Sequence, residues 1–182
     1  MIEVRWHGRG GQGAVTSVEL LAVSAIAAGK YAQGFPSFGP ERRGAPVAAF
    51  TRIDDKKINV RSGIYEPDVV LVLDSSLIGL VNVLDGLKPG GKVIVNTHKT
   101  PEEIKKDLNF DGPVATVDGT GIARKEMGVP IANTTMIGAL LKITGIMELD
   151  AMKASIEHRF GRIAQKNLNA MKRAYDEIQI SN

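Results

Sequence analysis

Val69-Val70-Leu71-Val72-Leu73-Asp74 is an apolar run closed by a carboxylate, and two similar runs follow it, Lys92-Val93-Ile94-Val95-Asn96 and Val114-Ala115-Thr116-Val117-Asp118. A strand with one wet face alternates apolar and polar residues. These runs do not, so they read as strands buried on both faces, in a largely parallel sheet between helical layers. Their polar ends are evenly spaced at 74, 96 and 118, which fits strand-helix-strand units. Helices are expected at Ser75 to Leu87, stopped by Lys88-Pro89-Gly90-Gly91, and at Pro101 to Leu108, with Thr100 as cap and proline at the first helical position. The fold class that follows is α/β, a three-layer α/β/α sandwich.

Toward the amino terminus, Ala45 to Ile53 and Ile58 to Ser62 flank the polar turn Asp54-Asp55-Lys56-Lys57 and read as a hairpin, which makes the sheet mixed. Met1 to His7 reads as a strand, with Ile2, Val4 and Trp6 alternating with Glu3 and Arg5, and Ala14 to Ala28 as a helix. Between them Gly8-Arg9-Gly10-Gly11-Gln12-Gly13 forms a glycine-rich strand-to-helix turn. Unpaired N–H groups at a helix start, the positive end of the dipole and residues without side chains together favour an anion at close range. Gly8, Gly10 and Gly13 satisfy G-x-G-x-x-G, yet Tyr31 to Pro40 offers no acidic residue for a ribose, and no Lys-Ser or Lys-Thr follows the last glycine. Neither the dinucleotide fingerprint nor the nucleotide-hydrolase phosphate loop is complete. Contact with a ligand or partner is favoured over a turn that only packs helix on sheet.

The helix after this loop holds Glu19 as its one charged residue, so nearly all its faces need cover, in part from a partner chain. Asn133 to Gly145 is a similar apolar helix, with Asn133 as its expected cap. Leu149 to Ile180 carries an amphipathic stripe that Gly161 divides into two helices. Residues 1–182 read as a single domain.

A further block, Gly34-Phe35-Pro36-Ser37-Phe38-Gly39-Pro40-Glu41-Arg42-Arg43-Gly44-Ala45-Pro46-Val47, lies downstream of the glycine loop. HGRGGQG followed by FPSFGPERRGAPV resembles the gamma subunits of the oxoacid:ferredoxin oxidoreductases, most closely those of the pyruvate enzymes. The resemblance runs on through Val72-Leu73-Asp74 and the helix opening at Asn133-Thr134-Thr135-Met136. It implies a non-catalytic subunit of an assembly that decarboxylates an oxoacid, passes electrons to ferredoxin and releases an acyl-coenzyme A. Thiamine diphosphate, Mg and iron-sulfur clusters would then sit on alpha, beta and ferredoxin-like delta partner subunits. In fused relatives the equivalent domain packs beside the thiamine site and is implicated in coenzyme A binding, so coenzyme A is the ligand the resemblance implies at the surface of this chain. A branched-chain or 2-oxoglutarate enzyme of the same family, or a stand-alone nucleotide-binding oxidoreductase, are the alternatives.

Zero cysteines remove disulfides, thiolate nucleophiles and cysteine-ligated clusters from this chain. His7, His98 and His158 are scattered without metal-ligand spacing. No apolar run reaches membrane-span length and no basic-then-apolar leader opens the chain, so a cytoplasmic protein is expected. The net charge of +3 comes from mixed charges, and aromatics are 5% of residues. Neither points to nucleic acid.

The expected cofactor-binding set is therefore Gly8, Arg9, Gly10, Gly11, Gln12, Gly13, Arg42 and Arg43, with no catalytic or metal residue. Guanidinium groups pair bidentately with phosphate, which suits coenzyme A; Phe35, Phe38 and Glu41 beside them fit docking to a partner, and for the block as a whole docking is favoured over coenzyme contact, the two being compatible at a subunit junction. For Asp74, Asn96 and Asp118 helix capping is the favoured role.

Overall fold

The computed structural model describes residues 1–37 and 43–181. Strand β1 (Ile2–Arg9) leads into helix α1 (Ala14–Ala27), then strands β2 (Tyr31–Pro36) and β3 (Pro46–Asp54). The parallel strands are β4 (Val69–Val72), β5 (Lys92–Asn96) and β6 (Val114–Val117), with α2 (Pro101–Leu108) between the last two. Helices α3 (Gly119–Met127), α4 (Asn133–Thr144), α5 (Lys153–Phe160) and α6 (Ala164–Glu177) precede a short strand β7 (Gln179–Ser181).

Among the described residues the strands form one seven-stranded sheet in the order β2-β3-β1-β4-β5-β6-β7. β1, β4, β5 and β6 are parallel; β3 is antiparallel to both β1 and β2, and β7 to β6. Alternate residues of the apolar strands feed two cores. Val69, Leu71 and Ile94 join the larger one with α1, α4 and α6, while Val70, Val72, Val93 and Val95 pack with Ile104 of α2. The expected mixed α/β sandwich is what forms. Thr100 and Glu103 make a reciprocal capping box at the start of α2, with Pro101 at its first position.

Several expectations need correction. Ser75 to Leu87 is not a helix: it makes one 3-10 turn, Ser75–Leu77, and then irregular chain. Gly79 and Gly86 adopt φ of 89° and 66°, and the Asn82 side chain accepts a hydrogen bond from the Leu84 amide, a local turn that competes with helix. The expected hairpin does not form: β3 pairs antiparallel with β2, not with Ile58–Ser62, which forms no strand. Gln33 of β2 instead donates to the Val60 carbonyl and holds that segment alongside. Gly34 and Pro36 disguised β2 as loop. The cap of α4 is Ala132, with Asn133 already helical. Gly161 does divide α5 from α6, through a 3-10 turn at Gly161–Ile163.

Helix α1 is buried along most of its length, yet Val23 and Ile26 remain 58% and 56% exposed. Beneath it, Trp6 of β1 is fully buried and donates from Nε1 to Thr51 Oγ1 at 3.1 Å.

His7, on β1, supplies a pH response. Its Nε2 accepts from Arg5 Nε at 3.0 Å; burial first, then the charge of Arg5, push its pKa down to about 4. The folded pKa lies below the unfolded one of 6.5. The native state therefore binds fewer protons between those values, and stability falls as pH drops through that window. The loss is about 3 kcal/mol at the bottom of it. Melting at pH 7 and pH 4.5 checks this: His7→Gln, which keeps an acceptor for Arg5, is expected to lose several degrees less than the wild type. Equal losses would remove His7 from the account.

Candidate functional site

β1 runs on to Arg9, so Gly8 and Arg9 are strand residues and the loop proper is shorter than the sequence implied. Gly10 forms a bridge with Arg43; its amide donates to the Ala45 carbonyl at 2.9 Å, and its carbonyl accepts from the Gly44 amide at 3.0 Å. Gly11 and Gly13 adopt φ of 94° and 81°, where a side chain would be strained. Gly13 is the N-cap of α1 and offers no side-chain cap to the helix. A Cβ at Gly13 would overlap the side-chain amide of Asn133, so the start of α1 is seated against the start of α4.

Arg9 braces this turn. Its guanidinium donates to Asp74 Oδ2 at 3.1 Å, the Gly44 carbonyl at 3.0 Å and Ser76 Oγ at 2.8 Å. Gln12 closes the latch, with Nε2 donating to Asp74 Oδ2 at 2.8 Å and Oε1 accepting from the Arg9 amide at 2.8 Å. Partial burial pushes the Asp74 carboxyl up, but hydrogen bonds from Ser76 and Gln12 and the charge of Arg9 outweigh it and hold it below the usual range. The Arg9 charge thus has a counter-charge inside the protein, and its hydrogen bonds brace the loop. Arg43 is exposed, and its Cγ lies 3.9 Å from where a Cβ on Gly11 would stand. Arg42, with Phe38 and Glu41, lies outside the described residues.

The other polar strand ends serve helices. Asp118 accepts from the Gly121 amide at 2.8 Å and caps α3, with His98 Nδ1 3.2 Å from its other oxygen. Asn96 does not cap the helix that follows it. It accepts from the Thr120 amide at 3.1 Å and donates to the Leu73 carbonyl at 2.8 Å, tying the start of α3 to the end of β4. Asp74 caps the 3-10 turn through Ser76.

Chemically, the carboxyl edge of β1 offers a helix start without a side-chain cap, two left-handed glycines and an exposed arginine, which fits a phosphate. Among the described residues no group of three or more His, Cys, Asp or Glu side chains is placed to hold a metal. No described helix is long and apolar enough to cross a membrane. Sequence reasoning missed a second concavity, lined by Arg5, Phe35, Phe50, Arg52, Arg61 and Tyr65 among others, because those residues come from four separated segments.

Comparison with known proteins places this geometry. The family model for pyruvate ferredoxin/flavodoxin oxidoreductase matches residues 3–177. A pyruvate/ketoisovalerate oxidoreductases common subunit gamma from Thermococcus kodakarensis is 53% identical, covering 99% of this chain and 98% of its own. Pyruvate synthase subunit PorC from Methanocaldococcus jannaschii is 51% identical over 98% and 97%. The crystal structure of the pyruvate oxidoreductase subunit PORC from Thermotoga maritima superposes with a TM-score of 0.89 at 41% identity, covering 100% of this chain and 98% of that one. The fold also occurs in a 2-oxoglutarate:ferredoxin oxidoreductase from Magnetococcus marinus, with a TM-score of 0.72 at 21% identity, where it covers 30% of the longer chain. With the match spanning nearly all its length, this chain belongs to the pyruvate ferredoxin/flavodoxin oxidoreductase family, among its gamma subunits.

Proposed function

We propose that this chain is the gamma subunit of a multisubunit pyruvate:ferredoxin oxidoreductase, which turns pyruvate, coenzyme A and oxidised ferredoxin into acetyl-coenzyme A, carbon dioxide and reduced ferredoxin. Its own part is structural and coenzyme-positioning. Thiamine diphosphate, Mg and the iron-sulfur clusters belong to alpha, beta and ferredoxin-like delta partners, in keeping with a chain that has no cysteine.

The observation that carries this reading is the bridge between Gly10 and Arg43. It joins two motifs far apart in sequence into one surface, where the amides at the start of α1 and the arginines of the FPSFGPERRGAPV block can hold the phosphates of coenzyme A from two sides. Arg9, Gln12 and Asp74 brace the loop in that shape, and the exposed Arg43 supplies positive charge beside it, with Arg42 its neighbour in sequence. A second reading of the substrate has support as well: relatives at about half identity are named common subunits of pyruvate and ketoisovalerate enzymes. A gamma subunit of this kind would serve two oxoacid enzymes, with substrate choice made on the partners.

The test is a tagged copy purified with its partner subunits and assayed for pyruvate- and coenzyme A-dependent ferredoxin reduction. Arg42→Ala combined with Arg43→Ala is expected to raise the apparent KM for coenzyme A about tenfold or more, the effect of one lost charge-assisted phosphate contact or more. The KM for pyruvate and the assembly should be unchanged. Normal assembly with unaltered coenzyme A dependence would refute the coenzyme role.

A further inference from the structure

A cavity of about 840 Å³ opens on the face of β1, β2 and β3 that points away from α1. Strand alternation puts it there: Val4, Trp6, Ala49 and Ile53 belong to the core beneath α1, while Arg5, Phe50 and Arg52 face the other way. Phe35 and Phe50 stack along its floor with ring centroids 5.4 Å apart, and the Arg52 guanidinium lies 5.6 Å above the Phe35 ring. The opposite wall is the irregular segment Arg61 to Tyr65, with Asp85 beside it.

The charges are unbalanced. Arg52, 1% exposed, is taken up by Glu3 at 2.7 Å, Gln33 and the Gly63 carbonyl at 3.0 Å. Arg5, 7% exposed, donates from Nε to His7 and from Nη2 to the Val83 and Asp85 carbonyls, but its Nη1 has no partner among the described residues. Arg61 is exposed and makes no ion pair among the described residues. With Arg52 paired to Glu3, the described lining sets two further guanidinium groups, Arg5 and Arg61, against one carboxylate, Asp85. Tyr65 stands at the rim 76% exposed. Arginines and aromatics in one concavity are the composition of an interface centre, and an arginine can be covered there only against an opposing charge or acceptor.

We propose that this cavity receives a carboxylate-bearing segment of a partner subunit. Its acid faces Arg61 and the unpartnered Nη1 of Arg5, and its apolar atoms lie against Phe35, Phe50 and Tyr65. The inference rests on membership in a multisubunit oxidoreductase and is independent of the coenzyme reading, which concerns the glycine loop. An acidic segment is what this excess of arginine selects, since opposite potentials fix register and reject wrong partners.

The experiment uses the complete complex, co-expressed from its own subunits. Arg61→Glu should reduce the gamma chain recovered with its partners about tenfold or more and make the remaining complex dissociate at lower salt. The isolated variant should melt within about 2 °C of wild type, as exposed loop substitutions do. Tyr65→Ala should weaken assembly in the same direction. Amides of residues 61–65 should exchange hydrogen about tenfold or more slowly in the complex than in the free chain. Full recovery and unchanged salt resistance in both variants would overturn the proposal, as would equal exchange in the two states. Protection of the same amides in the free chain by coenzyme A or inorganic phosphate would overturn it too, giving the cavity to a small anion. Failure here leaves the Arg42 and Arg43 assay untouched, because that assay reads coenzyme dependence in an assembled enzyme.

Discussion

Alanine in place of Gly138 is expected to lower the melting temperature by about 10 °C, through a loss of about 3–5 kcal/mol. Helix propensity alone gives the opposite sign, since alanine is favoured over glycine inside a helix by about 1 kcal/mol. Packing decides the sign here. Gly138 sits within α4, and a Cβ there would overlap the carbonyl oxygen of Met171 on α6, with the carbonyl carbon at 2.8 Å. The obstacle is backbone, which cannot rotate aside as a side chain can. The two helices would have to part along a contact that buries Met136, Leu140 and Met171. Thermal unfolding of the single variant decides the matter: a melting temperature at or above that of wild type would mean the helices separate at negligible cost.

The second large effect is expected at Arg52. Arg52→Ala removes hydrogen bonds to Glu3, Gln33 and the Gly63 carbonyl and uncovers the Phe35 ring. The Glu3 carboxylate keeps only Lys88, at 3.4 Å, as an ion-pair partner among the described residues. Breaking a buried pair from one side costs about 3–5 kcal/mol, because the remaining charge stays desolvated. Arg52→Met retains much of the volume and should recover the packing share of that loss, while the loss of the guanidinium beside Glu3 keeps the rest. Denaturant titration of both variants separates the two contributions. A cost below about 1 kcal/mol for the alanine variant would place Arg52 with surface pairs that contribute little.

How much of this was legible in the sequence follows from how local each signal is. β4, β5 and β6 were readable because a strand buried on both faces must be apolar throughout, and α2 because Thr100, Pro101 and Glu103 together write its start. Ser75 to Leu87 has helical spacing, but the left-handed glycines 79 and 86 sit inside it. The second of them is fixed by a long-range contact, since a Cβ at Gly86 would overlap the carbonyl of Tyr65. The glycine loop was recognisable as a turn built for close approach. Its side-chain contacts were not: Arg9, expected at a phosphate, also pairs with Asp74, sixty-five positions away. Likewise nothing in sequence order joins Arg5, Phe35, Arg52 and Arg61, so the cavity existed only once β2 had taken its place beside β3.

The small strand β7 has a consequence for how the chain is made. It is the outer antiparallel neighbour of β6, pairing Thr116 with Gln179 and Val114 with Ser181. In the chain, four helices separate those two strands. While a ribosome is still building those helices, β6 presents a bare row of amides and carbonyls on an apolar strand, the kind of edge that recruits other chains. The sheet's opposite half suffers no such delay, because β1, α1, β2 and β3 all lie within the first 54 residues. Aggregation during synthesis is therefore a hazard of the half that follows β6, closed off only when β7 docks.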